Sequence, residues 1–113
     1  MNDEIKEIEI SIEQAKELVS LKNSLTKLFS NKDFKKVILD GYLEKEAIRL
    51  VHIKAKMQNQ TSEAQDAITK DIDSIGRLLV FLNTVMSNGY MAEASIKENE
   101  QALEEIRNEQ AGK

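Results

Sequence analysis

The chain has 113 residues, with no proline, cysteine or tryptophan and only four glycines. Apolar residues make up 41% and aromatics only 4%, a balance of Ile, Leu, Val and Ala that suits helix-on-helix packing. Disulfides and thiolate zinc sites are excluded, which fits a reducing cytosol. The length predicts one domain. The opening Met1-Asn2-Asp3-Glu4 is acidic and predicts no secretory leader. No apolar run nears the roughly 18 residues of a membrane span. The net charge of −4 is unevenly spread: residues 1–15 hold one Lys against five acids, residues 16–56 ten Lys/Arg against five acids, and residues 57–113 five against ten. A basic middle between acidic ends predicts charge pairing between helices, or contact with an anionic partner such as nucleic acid.

The first helix is predicted over residues 3–29. Asn2 or Asp3 caps it, and Asp3, Glu4 and Glu7 sit near the positive end of its dipole. Ile5, Ile8, Ile12 and Ala15 step by 3, 4 and 3, and Leu18, Leu21, Leu25 and Leu28 repeat that pattern. Between Ala15 and Leu18 the step is 3 where a heptad needs 4, so the apolar seam is expected to slip there. The first half of the helix is then expected to face another subunit.

Ser30-Asn31-Lys32-Asp33 is a turn signal, with Ser30 or Asn31 as the next cap. A second helix is predicted over 32–57. Its apolar residues Phe34, Val37, Ile38, Tyr42, Leu43, Ala47, Ile48, Leu50, Val51 and Ile53 cover more than one face. That width predicts burial on two sides, at the centre of the fold. Gly41 within it is expected to admit a close backbone neighbour.

Gln58 to Ser62 forms the second loop, and Ser62-Glu63-Ala64-Gln65 matches a capping box. A third helix over 63–87 carries Ile68, Ile72, Ile75, Leu79, Leu82 and Met86 in an unbroken heptad. Ser87-Asn88-Gly89 is a helix-ending signal, although the seven-residue spacing Ile68, Ile75, Leu82, Gly89, Ile96, Leu103 runs through it. A break or sharp bend is expected there, with a fourth helix over 90–109 and fraying from Gln110 to Lys113; the alternative is one helix running from 63 to 109. The fold class is all-α: three to four long helices in antiparallel hairpins with coiled-coil-like packing.

No motif of known chemistry emerges. His52 has no ligand partner at helical spacing. Asp66, Lys70, Asp71 and Asp73 read as a solvated face with an i,i+4 pair, and lack the Gly and terminal Glu of a calcium loop. The glycines at 41, 76, 89 and 112 are isolated, so there is no phosphate loop. The sequence therefore predicts no enzyme, no cofactor and no metal site. Candidate partner contacts are Ile5, Ile8 and Ile12 on the first arm, Tyr42, Glu46 and Arg49 on the second helix, and Ile96, Leu103 and Ile106 on the last arm. Lys32, Lys35 and Lys36 form the one basic cluster and are the candidate anion contacts; Phe34 among them is expected to be core.

The stretch Phe34-Lys35-Lys36-Val37-Ile38-Leu39-Asp40-Gly41-Tyr42, followed by Glu46-Ala47-Ile48-Arg49-Leu50-Val51, together with Ile72-Asp73-Ser74-Ile75-Gly76, Phe81-Leu82 and the Gly89 to Glu105 segment, resembles small all-helical proteins encoded by tailed bacteriophages, often among virion structural genes. The likeness covers residues 5–106. It implies a virion or assembly role in an oligomer or with other virion proteins, in the bacterial cytoplasm or the particle, and no catalytic residue. The alternative is a regulatory or inhibitory protein that meets a host factor or nucleic acid through its basic middle.

Overall fold

The computed structural model describes residues 2–112, and among them every regular element is helical. Helix α1 spans Asn2–Phe29. Helix α2 runs from 32 to 55 in three windings: an α turn Lys32–Phe34, π-helical turns Lys35–Glu46, and α-helix Ala47–Ala55. After a 3₁₀ turn, Met57–Asn59, helix α3 takes the whole of Ser62–Ala111, 50 residues. The count is therefore three helices, and the expected break at Gly89 does not occur.

The described residues pack as two units. The first joins residues 2–25 to 84–112, and the second is Thr26–Asn83.

In the first unit, Lys22 pairs with Glu93 and Glu9 with Arg107 at 3.8 Å, so α1 lies antiparallel to the second half of α3. The α1 seam is Ile5, Ile8, Ile12, Ala15, Val19 and Lys22, all buried or half-buried. Leu18 and Leu21, expected in it, are exposed. The heptad thus passes Ala15 without a slip, because Val19 and Lys22 continue it. The three-residue shift comes later, between Lys22 and buried Leu25, where this unit ends. Facing residues on α3 are Val85, Gly89, Ala92 and Leu103, buried, with Ile96 and Ile106 half-buried.

In the second unit, Leu50, at 2% exposure, forms a small core with Ile68 and Ile75, covered by Tyr42, Leu43, Ala47, Ile53 and Ile72. Burying side chains of this size stabilises by about 1.5–3 kcal/mol each. Along α3, Ile68, Ile72 and Ile75 are followed by half-buried Leu78, while Leu79 is exposed. So the seven-residue row Ile68, Ile75, Leu82 stays buried, while its companion moves by one position, from Ile72, four after Ile68, to Leu78, three after Ile75. Ile68 and Ile75 serve α2, whereas Val85 onward serves α1, and the change of partner explains the shift.

The loops are held by side chains. Asn31 Oδ1 accepts the Phe34 N–H at 2.9 Å, the expected N-cap. Phe29 and Phe34 pack ring to ring across this turn, centroids 6.3 Å apart; half-buried Phe34 is thus engaged with an apolar neighbour. At the second loop the cap is Thr61, one residue before the expected Ser62: its Oγ1 accepts from the Ala64 N–H at 3.1 Å. Gln65, freed from the capping box, clamps the loop, donating to the Lys54 and Asn59 carbonyls at 2.8 Å each. Asn59 Nδ2 and Gln60 Nε2 reach the Ile53, Lys54 and Lys56 carbonyls at 2.8–2.9 Å. Orphan carbonyls at the end of α2 are thereby satisfied in a loop with neither Gly nor Pro.

Candidate functional site

Helix α2 departs most from expectation. It is covered on one side only, and Leu50 is its sole buried residue among those described. Val37, Ile48 and Val51 are 62%, 51% and 57% exposed. Ile48, Val51 and exposed Ala55 stand at steps of 3 and 4 in the α-helical part of α2 and share its outward side; Val37 and Glu44 are exposed within the π-helical turns. The second apolar face that the sequence carries is present, but its own unit does not cover it. Half-buried Gly41 lies within the π-helical turns. A Cβ there would stand 3.1 Å from the Lys36 carbonyl oxygen of the same helix. The tightness at Gly41 thus comes from its own π-helical turn, not from a crossing helix.

On the covered side, Tyr42, Glu46, Leu50, Asp71, Ser74 and Ile75 line an open cleft of about 270 Å³. Glu46 and Arg49 form a two-pronged ion pair, Nε to Oε1 at 2.5 Å and Nη2 to Oε2 at 2.9 Å. The Arg49 hydrogen bond lowers the Glu46 carboxyl below its ordinary value, and burial opposes this more weakly. Arg49 is raised in turn, first by the same bond. The pair is solvent-facing, as the Arg49 side chain is 58% exposed.

A further apolar patch lies on α3, where Val80 and Phe81 are 64% and 58% exposed. Ile72, Asp73, Gly76, Arg77 and Val80 line a shallow groove there.

The arm residues are placed differently. Ile5, Ile8, Ile12, Ile96, Leu103 and Ile106 are buried or half-buried in the first unit. They cover one another's helices within one chain and do not form an outward surface. Lys32, Lys35 and Lys36 are exposed at the start of α2. His52 and the acids Asp66, Asp71 and Asp73 are exposed too. Among the described residues, no group of three or more His, Asp or Glu is placed to hold a metal ion, and no helix is long and apolar enough to cross a membrane.

Sequence reasoning passed over one constellation. Lys22 lies in the α1 seam, 7% exposed. Its stem covers Gly89, its ammonium pairs with Glu93, and it stands 4.5 Å from the Tyr90 ring centroid. The available signal was the heptad itself: Lys22 follows Ala15 by seven, and Gly89 follows Leu82 by seven.

Comparison with protein-family models, with curated proteins and with solved structures finds no match to this chain.

Proposed function

We propose that this chain is a structural protein that builds or stabilises a larger particle through helix-helix contacts. The observation that carries this is the uncovered apolar side of α2. Single exposed apolar residues are ordinary on any protein, but rows of them at helical spacing mark contact surfaces. The resemblance to small helical proteins of tailed bacteriophages suggests the kind of particle, a virion or its assembly intermediate.

Light scattering on the purified chain tests the self-assembling form of this reading, with a mass above that of one chain expected at about 50 μM. A single-chain mass with a sharp thermal transition contradicts it. Mass spectrometry of purified particles from a phage that encodes the chain tests the virion assignment.

One observation favours a second reading. Lys27, Lys32, Lys35 and Lys36 are all exposed around the turn between α1 and α2. Such a cluster suits an anionic partner, as a regulatory protein binding nucleic acid or an acidic host factor would need.

A further inference from the structure

We infer that Lys35–Glu46 is a winding switch: its π-helical turns exchange with an α winding of the same residues, and the two forms turn different side chains outward. The first support is spacing. Half-buried Phe34, Ile38, Leu43 and Ala47 step by 4, 5 and 4, and Leu43 and Ala47 pack on the Leu50 core. A π turn closes its hydrogen bonds one residue further along than an α turn, so steps of 4 and 5 stay on one side. Wound as α, Ile38 and Ala47 would stand about two and a half turns apart, on opposite sides. Covering Ile38 together with Ala47 therefore favours π. The same residues also carry the competing order. Val37 precedes Ile48 by eleven residues and Val51 by fourteen, about three and four α turns. An α winding brings exposed Val37 into line with exposed Ile48 and Val51 and turns Ile38 away from Ala47. The π winding is weakly held, because none of its twelve residues is fully buried. Long π runs are rare, and segments with few buried contacts open at low cost. Gly41 is the pivot. A Cβ there would stand 3.1 Å from the Lys36 carbonyl oxygen, five residues back, which is the acceptor that π winding assigns to residue 41. Alanine at 41 presses on a π turn and suits an α turn. The switch belongs to a single chain and so goes beyond the assembly reading, which the mass measurement tests separately.

Solution NMR of the whole chain tests this. In the parent, couplings across hydrogen bonds within residues 35–46 should reach carbonyls five residues back. The same amides should show microsecond-to-millisecond exchange that Ala47–Ala55 lacks. Gly41→Ala should move the couplings to carbonyls four residues back, with far-UV circular dichroism showing the parent's helical content. Ile38→Ala reaches the same end without adding bulk at residue 41, since it removes apolar surface whose cover favours π; it serves as the test should Gly41→Ala not fold. Parent couplings that reach only four residues back overturn the inference. So do five-residue couplings with no exchange, which describe one fixed winding. A folded Gly41→Ala or Ile38→Ala chain that keeps the parent's couplings and exchange overturns it as well.

Discussion

The stem of Lys22 occupies the space that a side chain at Gly89 would fill. A Cβ built on Gly89 falls onto Lys22 Cβ and comes within 2.6 Å of its Cγ and Cδ. Gly89 is in the helix because α1 sends a lysine across it, and its backbone has no positive φ. A polar residue at one seam position fixes helix register at some cost in stability. Here the ammonium escapes to Glu93 while the stem stays buried.

This relationship makes a prediction of sign. Gly89→Ala alone is destabilising by about 1–2 kcal/mol, since overpacking outweighs the roughly 1 kcal/mol gained in helix propensity. In a Lys22→Gly background the same change is stabilising by about 1 kcal/mol, because the Cβ and stem that it meets are gone. Urea unfolding of the four proteins closes the cycle. The same sign in both backgrounds would show that Lys22 and Gly89 are not in contact.

Gly76 supplies the contrast. Nothing lies within 4 Å of a Cβ placed there. Gly76→Ala should therefore stabilise the chain by about 1 kcal/mol, raising Tm by about 4 °C. A scanning calorimetry Tm that falls would mean the position is covered in solution.

The Glu46–Arg49 pair predicts a pH effect. The folded carboxyl is lowered from its ordinary 4.5, so the unfolded chain takes up the proton first as pH falls. The pair's contribution is present above that ordinary value and is lost as pH drops through the lowered one. It is small, because the pair faces solvent. Glu46→Gln should show a smaller loss of urea midpoint than the parent between pH 7 and pH 3. An identical loss in the two proteins would mean that the pair is not formed.

The basic cluster separates the two functional readings. Under the assembly reading, duplex DNA binds weakly and Lys32/Lys35/Lys36→Glu leaves the oligomeric mass unchanged. Affinity that falls steeply between about 50 and 200 mM salt, and disappears in the triple variant, would move the function to this segment.

Much of the fold was legible in sequence where the apolar period was strong. The all-helical class, the turn at Asn31 and the polar loop after α2 follow from spacing and capping residues alone. What misled was reading the seam only through apolar residues. Lys22 occupies a seam position without being apolar, so the row through Leu18 and Leu21 was followed and α1 appeared to slip at Ala15; at Gly89 the Asn-Gly ending signal outweighed the seven-residue spacing that runs through it. In α3, sequence cannot show that one helix serves two partners, and the move of the companion seam residue from Ile72 to Leu78 records that switch. The wide apolar stripe of α2 was visible. That its own unit leaves Val37, Ile48 and Val51 uncovered was not, because a stripe states what needs burial and not which chain supplies it.

The central claim, that α2 keeps an apolar face for another molecule of the same kind, bears most directly on how stability depends on concentration. A dimer linked to folding gains Tm as the chain is concentrated, and a monomer does not. Thermal unfolding at about 2 μM and about 200 μM should give a Tm several degrees higher in the concentrated sample for the parent, and one unchanged Tm for Ile48→Glu. A parent Tm independent of concentration across that range would contradict the claim.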